Sequence, residues 1–465
     1  DVYLEAMPHS FPEQIDLNRK VLTLHEKFGI KIVATQDAHY VNKGDEKGHE
    51  VLLAVQTKKK WADKDRWKFH GEGYYFRSMQ EMARAFRAQG CLPNDVWADT
   101  ISNTVEVAGK CDFDLTPKKV MLPRLSALSM FSNDAWTEDD DAVLMQKCEL
   151  GFKTRNVDTK EYRDRYDFEI ELIKRQGFTR YFLIVWEIVS WCHQEGIMVG
   201  PGRGSASGSL VCYLLGITQV DPIKYNLVFA RFISPDRQDL PDIDIDFEDT
   251  RRGEVRTHLE QKYGKMCVAG ASTFSRMKGK NTLRDVSRVF DIPLSDVNKA
   301  ANVVVTKLDG EDGSDTTISD SFLRFEDGIE FYKKYTEVSE IAILLEGQIR
   351  GKGQHAAAIV ISQEDLSNGE RCNFQLGKDK EPVINWDKND LEYMGLMKLD
   401  VLGLKMLTVL NEFRKLVKSN HGKDIDFYGL TLDDPRVLRE FDKGNTIGCF
   451  QFGSHGIREF CKRIG

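Results

Sequence analysis

Residues 240–247 read Leu-Pro-Asp-Ile-Asp-Ile-Asp-Phe, and acidic and apolar side chains alternate from Asp242 onward. A period of two predicts a β-strand with Asp242, Asp244 and Asp246 on one face and the apolar side chains on the other. Aspartate is a poor strand former, and like charges on one face repel. A fold tolerates this row most readily where a divalent cation neutralises it. The alternative is a solvent-facing edge strand.

The chemistry of this row favours a pair of hard metal ions. Carboxylate oxygens suit Mg²⁺, with Mn²⁺ as the alternative. Same-face positions lie about 6.6 Å apart, twice the rise of about 3.3 Å per residue. Their oxygens can therefore converge on two metals about 3.5–4 Å apart, the spacing used for in-line phosphoryl transfer. Periodicity alone does not choose between Asp242 with Asp244 and Asp244 with Asp246.

A glycine loop lies upstream, where residues 200–209 read Gly-Pro-Gly-Arg-Gly-Ser-Ala-Ser-Gly-Ser. It is neither a Walker loop nor Gly-x-Gly-x-x-Gly. The loop places Arg203 and several hydroxyls at the start of a predicted helix, where free N–H groups favour phosphate. The alternative is a tight turn before a closely packed helix of small residues.

A further carboxylate lies downstream, where residues 397–401 read Met-Lys-Leu-Asp-Val. Asp400 lies inside an apolar strand, and Lys398 is on the same face. A buried carboxylate needs a partner. Asp400 is therefore either in a structural ion pair with Lys398 or a third metal ligand, in which case Lys398 meets a phosphate.

Two weaker patterns flank these motifs. Residues 251–300 hold eleven Lys and Arg against five Asp and Glu, which suits a phosphate backbone or a solvated helix face. The candidate DNA-binding residues are Arg276, Lys278, Lys280, Arg284 and Arg288. Asp37 and His39 follow a predicted strand, a usual place for catalytic residues in barrel-type α/β folds. Residues 350–355 are basic and glycine-flanked before a predicted strand, and they either contact phosphate or form a turn with one satisfied histidine.

Composition bounds the remaining possibilities. The chain has 465 residues, a net charge of −8 and nine cysteines without a Cys-x-x-Cys pair. The length indicates two to four domains or one large multi-part enzyme core, and the ordinary composition excludes wholesale disorder. The cysteines indicate neither a disulfide framework nor a zinc ribbon. The longest apolar stretch is too short and too polar to span a bilayer. We expect a cytoplasmic protein without membrane contact, truncated at both Asp1 and Gly465.

Together, the acid row, the glycine loop, Asp400 and the basic segment predict a two-metal nucleotidyl transferase acting on nucleic acid. One metal would lower the pKa of a primer 3′-hydroxyl. Both would stabilise charge on the transferred phosphate and the pyrophosphate.

The chain resembles the bacterial replicative DNA polymerase III alpha subunits (family C), including versions carried by large phages. The resemblance covers essentially the whole chain. The matching segments are residues 200–205, 221–222, 231–232, 241–247, 284–289, 387–388, 398–404 and 450–451.

The resemblance implies an α/β and α+β multidomain fold. Residues 1–111 would be the C-terminal part of a PHP (polymerase and histidinol phosphatase) domain. Residues 112–273 and 356–405 would form a polymerase-β-like palm. Residues 274–355 would be a helical thumb that grips the duplex, and 406–465 the start of the fingers.

The resemblance also assigns roles. Asp242, Asp244 and Asp400 would be the catalytic acids and hold two Mg²⁺ ions, while Asp246 would not be a principal ligand. The incoming triphosphate would lie at Gly204 and Ser205, with Arg203 and Lys398 nearby.

Asp37 and His39 match the last metal-ligand pair of the PHP domain. A complete site would take Zn²⁺ or Mn²⁺, with its other ligands upstream of Asp1. One departure is Gln354-His355, where the family often has Lys-His.

The implied partners are primer-template DNA and dNTPs. The sliding clamp and other replisome subunits would bind through C-terminal regions beyond this sequence. Two alternatives remain, a PHP-type metal phosphoesterase with an inert polymerase-like region and a non-catalytic DNA-binding subunit.

Overall fold

The computed structural model describes residues 2–69, 71–113, 115–123, 139–236, 240–304, 318–369, 371–377 and 380–464. The chain forms two compact units, Asp1–Leu115 with Phe274–Gly353, and Thr116–Thr273 with Gln354–Gly465. Among the described residues, every helix is too short or too polar to cross a membrane.

Helices and strands alternate along most of the chain, and the predicted mixed helix-and-sheet architecture is confirmed. In chain order the elements are β1 (Leu4–Ala6), α1 (Pro12–Phe28), β2 (Ile32–Ala34), α2 (Glu46–Gln56), α3 (Met79–Gln89), α4 (Asn94–Lys110), α5 (Asp140–Arg155), α6 (Lys160–Arg175), α7 (Thr179–Gln194), α8 (Leu210–Leu214), β3 (Ile245–Glu248), α9 (Arg252–Tyr263), β4 (Val268–Arg276), α10 (Gly279–Val289), α11 (Leu294–Val303), α12 (Ile318–Arg324), α13 (Glu326–Lys334), α14 (Thr336–Leu345), β5 (Ile349–Ile361), β6 (Phe374–Leu376), β7 (Pro382–Ile384), α15 (Lys388–Tyr393), β8 (Met397–Leu404), α16 (Lys405–His421), α17 (Pro435–Asp442) and α18 (His455–Ile464).

The first unit contains two apolar cores. Strands β1 and β2 pair in parallel, and α1, α3 and α4 bury Val21, Phe86 and Ile101 against them. Helices α10–α14 pack with α2 around a second core that includes Val51 and Leu283. The unit is therefore a short parallel βαβ motif together with a helical cluster.

The second unit is built on a mixed six-stranded sheet with the order β3-β8-β5-β4-β7-β6. Strand β3 runs parallel to β8, and Ile245 lies opposite Val401. Strand β5 runs antiparallel to β8 on its other side, and Ala358 lies opposite Asp400. Strand β8 therefore lies between β3, which continues from the acidic segment, and β5.

Alternate residues of the central strands enter different environments, as a period of two requires. On β5, Ile359 packs into the large core formed with α5–α9, whereas Val360 packs into a smaller core on the other face. On β8, Leu399 faces the large core, so Lys398 and Asp400 lie on the opposite face. The sequence prediction that these two residues share a face is confirmed.

The strand predicted over residues 240–247 is shorter in the structure, because β3 begins only at Ile245. Pro241 has no N–H to donate. The N–H of Ile243 donates to the Tyr181 hydroxyl at 3.2 Å instead of to a neighbouring strand. Alternation nevertheless persists in the burial, since Ile243 is buried while Asp242 is exposed. The first two acids therefore lie on an extended segment that leads into β3.

The turn expected as one alternative for residues 350–355 is wrong, since this segment lies inside β5. The ring of His355 accepts the N–H groups of Ala357 and Ala358 through Nδ1, at 3.3 and 2.9 Å. Gln354 and His355 therefore belong to an extended strand and not to a loop.

Gly151 of α5 provides a test of the packing between α5 and α8. A Cβ atom at this position would lie 2.3 Å from the backbone oxygen of Leu214. We expect Gly151→Ala to lower the free energy of unfolding by about 1–3 kcal/mol, the usual cost of overpacking. The measurement is the urea-induced unfolding transition of the purified protein.

Gly253 of α9 is the matched control, because a Cβ atom there would meet no heavy atom within 4 Å. Gly253→Ala should be neutral or stabilising, by up to about 1 kcal/mol, since alanine is favoured in helices. Equal destabilisation by both substitutions would contradict the packing described here.

Candidate metal centre

Three carboxylates converge at the edge where β3 and β8 begin to pair. Asp242 and Asp244 come from the segment before β3, and Asp400 comes from β8. One oxygen from each lies within 4.8 Å of the other two, and we call this group the acid cluster. In the described part of the chain, no other three His, Cys, Asp or Glu side chains converge in this way.

Asp400 is both ion-paired and incompletely satisfied. Its Oδ2 accepts from Lys398 Nζ at 3.0 Å, whereas its Oδ1 is buried, and no donor among the described residues reaches it. Lys398 Nζ also lies 4.0 Å from Asp242 Oδ1. A buried oxygen without a donor is costly, and a cation would satisfy it. Asp400 can therefore form an ion pair with Lys398 through Oδ2 and also bind a metal ion through Oδ1.

The local charges raise the proton affinity of the site. Burial raises the pKa of the Asp244 carboxyl, and the charges of Asp242 and Asp400 raise it further, against the opposing effect of Arg203 and Lys398. Burial lowers the pKa of the Lys398 ammonium, but its hydrogen bond to Asp400 and the charge of Asp242 outweigh that effect and leave it raised. The neighbouring carboxylates thus add to the effect of burial at Asp244 and oppose it at Lys398.

Asp246 lies outside the acid cluster. Its side chain is 10 % exposed, and its Oδ1 accepts from Arg203 Nη1 at 3.2 Å. Arg203 Nε is 3.8 Å from Asp244 Oδ2. The structure therefore groups Asp242 with Asp244 and leaves Asp246 as a partner of Arg203.

The glycine loop, residues 200–209, approaches these acids closely. The N–H of Gly200 donates to the Asp246 carbonyl at 2.8 Å, and a Cβ atom on Gly200 would lie 3.0 Å from that of Asp246. Gly204 has a φ of 60°, a conformation that favours glycine. Its Cβ position would be 3.8 Å from Asp244 Oδ2. Ser205, the next residue, is exposed.

The prediction of free N–H groups at the start of the helix after the glycine loop is wrong. Helix α8 has only five residues, and its first N–H groups have partners. Those of Leu210 and Val211 donate to the Glu169 carboxylate at 3.0 and 3.1 Å. That of Cys212 donates to Ser209 Oγ at 3.2 Å. Among the candidates in the loop, Arg203, Gly204 and Ser205 remain for an incoming phosphate.

The basic residues of the first unit are not equally available. Lys278 and Arg284 are exposed, and Lys280 is partly exposed. Arg276 donates to the Gly347 carbonyl at 2.9 Å, and Arg288 donates to the Val55 carbonyl at 3.4 Å. Two of the five predicted DNA-binding residues thus make contacts inside their own unit.

Asp37 and His39 form a pair, with His39 Nε2 and Asp37 Oδ1 3.0 Å apart. Asp37, three residues after β2, has a φ of 47°, and the His39 ring packs 4.4 Å from that of Phe69. Within the described residues no third ligand completes this pair. It stays a partial site.

Sequence reasoning missed Tyr181 and Glu169. The Tyr181 hydroxyl accepts the N–H of Ile243, between the first two acids. Glu169 is fully buried in α6 among Tyr166, Ile170 and Ile173. A signal for Glu169 was present, because these four positions have the i, i+3, i+4, i+7 spacing of one buried helix face. The sequence contains no comparable signal for the contact of Tyr181.

Two family models match the chain. Residues 142–403, more than half of the chain, match the bacterial DNA polymerase III alpha NTPase domain. Residues 406–465 match the bacterial DNA polymerase III alpha subunit finger domain.

Curated relatives agree with these matches. The DNA polymerase III subunit alpha of Aquifex aeolicus is 36 % identical, over 100 % of this chain and 41 % of the relative. That of Helicobacter pylori J99 is 35 % identical, over 100 % of this chain and 39 % of the relative. That of Thermus aquaticus is 33 % identical, over 98 % and 41 %. The chain thus spans about two fifths of the length of these relatives, and it belongs to the bacterial DNA polymerase III alpha subunit family.

Proposed function

We propose that this chain contains the catalytic core of a template-directed DNA polymerase, which adds dNTPs to a primer 3′-hydroxyl during replication. The observation that carries the proposal is the convergence of Asp242, Asp244 and Asp400 within 4.8 Å, in a chain of a polymerase family.

The acid cluster is the proposed binding site for two Mg²⁺ ions, with Mn²⁺ as the alternative. The buried Oδ1 of Asp400, which lacks a donor, supports a cation there. The two ions would activate the 3′-hydroxyl and stabilise charge on the transferred phosphate and on pyrophosphate. Lys398 holds the Asp400 carboxylate in place through Oδ2. Arg203, Gly204 and Ser205 bind the triphosphate, with Lys398 nearby.

The finer domain assignment is also a proposal. Residues 112–273 and 356–405 form the palm, 274–355 the thumb, and 1–111 the C-terminal part of a PHP domain. Breaks between the compact units at 115/116, 273/274 and 353/354 support these limits. The thumb binds primer-template DNA through Lys278, Lys280 and Arg284, with Arg276 and Arg288 in support.

The remaining proposals concern regions beyond this site. Asp37 and His39 would contribute to a Zn²⁺ or Mn²⁺ site in a complete PHP domain. The sliding clamp and other replisome subunits would bind elsewhere in the full-length cytoplasmic protein.

Substitution of Asp244 tests the polymerase directly. We expect Asp244→Asn to reduce primer extension by at least about 100-fold, since even outer-shell partners of metals contribute about 10–100-fold. DNA binding should be retained. The measurement is extension of a primed template with Mg²⁺ and four dNTPs by the full-length gene product, alongside a gel-shift assay of DNA binding.

Asp167→Asn is the control, because Asp167 is an exposed carboxylate on α6 and its loss changes the net charge by the same amount. No extension by the wild-type protein that still binds primed DNA would overturn the proposal and favour a non-catalytic DNA-binding subunit.

Metal binding can be tested without turnover. We expect Asp400→Asn to weaken Mn²⁺ binding by roughly tenfold or more, because a neutral amide replaces a ligand carboxylate. Titration with Mn²⁺ followed by electron paramagnetic resonance measures the free ion. Asp246→Asn is the comparison, since Asp246 lies outside the acid cluster. If Asp246→Asn weakened Mn²⁺ binding as much as Asp400→Asn, the assignment of metal ligands that leaves out Asp246 would be wrong.

A further inference from the structure

Glu169 is a buried acid that the proposed reaction does not use. It lies on α6 with no exposed surface. Its carboxylate accepts three hydrogen bonds from the end of the glycine loop and the start of α8: Ser209 Oγ at 2.9 Å, the Leu210 N–H at 3.0 Å and the Val211 N–H at 3.1 Å. Burial raises the pKa of the Glu169 carboxyl, and these N–H groups act in the opposite direction.

Arg165, one turn earlier on α6, extends this contact. Its Nε donates to Glu169 Oε1 at 2.6 Å. Its Nη2 donates to the Gly208 carbonyl at 2.8 Å and to the Leu227 carbonyl at 3.3 Å. The ion pair therefore holds both carbonyl and N–H groups at the end of the glycine loop.

The carboxylate is the acceptor for the first two N–H groups of α8. The loop is consequently tied to α6 at Gly208–Val211, whereas Arg203 and Gly204 lie beside the acids at its other end, next to the exposed Ser205. A turn of five residues, Gly204–Gly208, connects the two ends. Displacement of Gly208 would thus be transmitted to Gly204 over one short turn.

We propose that Glu169, together with Arg165, is a positioning residue for the incoming nucleotide. Without touching the substrate, it fixes the glycine loop so that Arg203 and Ser205 face the triphosphate. This inference rests on the proposed polymerase function. A buried ion pair contributes little net stability, and its main effect here is on the geometry of the loop.

Glu169→Gln tests the proposal with little change in volume. The amide cannot accept from every donor that the carboxylate satisfies, and its own NH₂ group would face N–H groups. We expect the KM for the incoming dNTP to rise about 10- to 100-fold, the effect of misplacing a binding group by about 1 Å. The Kd for primer-template DNA should stay within about twofold of wild type, because the DNA-binding residues proposed here lie in a different unit.

The experiment uses the full-length gene product and single-nucleotide addition over a range of dNTP concentrations. Glu171→Gln is the matched control, since Glu171 is exposed on the same helix. A purely structural role would lower the melting temperature and the active fraction while KM for dNTP stayed unchanged, and that result would overturn the proposal. The double variant with Ser205→Ala should show less than the product of the single effects, because both act through one loop.

Ser209→Ala keeps the test decisive if Glu169→Gln fails to fold. It removes one donor to the Glu169 carboxylate together with the acceptor of the Cys212 N–H. A KM for dNTP raised severalfold supports the proposal, whereas an unchanged KM overturns it. An absence of extension by the wild-type protein would instead refute the polymerase function itself. The two failures are therefore distinguishable.

Discussion

The mutual repulsion of three carboxylates within 4.8 Å is the constraint around which the second unit is arranged. Parallel pairing of β3 with β8 brings Asp244 and Asp400 level. Lys398 offsets one side of the cluster through Asp400, and Arg203 offsets the other through Asp244 and Asp246. The surrounding apolar core on the opposite face of the sheet keeps the strands in register. The negative charge that Lys398 and Arg203 leave uncompensated is suited to divalent cations.

The period of two was sufficient to predict which side chains share a face. It correctly separated Lys398 and Asp400 from Leu399. It could not distinguish Asp246 from Asp242, because that choice depends on Arg203, which reaches Asp246 across 43 residues of sequence. It also overestimated the length of β3, because the partner of the Ile243 N–H is a tyrosine of α7 and not a strand. The local pattern therefore predicted which acids share a face, whereas tertiary contacts determine which of them join the acid cluster.

The glycine loop shows the same division between local and tertiary information. The sequence predicted either a phosphate-binding loop or a tight turn, and in the structure Gly200 approaches Asp246 closely. The inference of a free helix N-terminus failed because a buried acid 41 residues upstream of Leu210 already accepts from it. For the basic segment, charge alone did not reveal that Arg276 and Arg288 donate to backbone carbonyls. A group that the sequence suggests for ligand binding can instead be hydrogen-bonded within the protein.

An internal anion at the start of α8 has a physical advantage over a substrate anion. If the N–H groups of Leu210 and Val211 awaited a phosphate, part of the binding energy of each nucleotide would be spent on ordering the loop. With Glu169 in place, these groups are already satisfied within the protein, so in the proposed polymerase the nucleotide would not have to order this end of the loop. Groups that are already oriented cost no reorganisation during reaction. The role proposed for the ion pair of Arg165 and Glu169 is thus to preorganise the neighbouring site, since such a pair contributes little net stability.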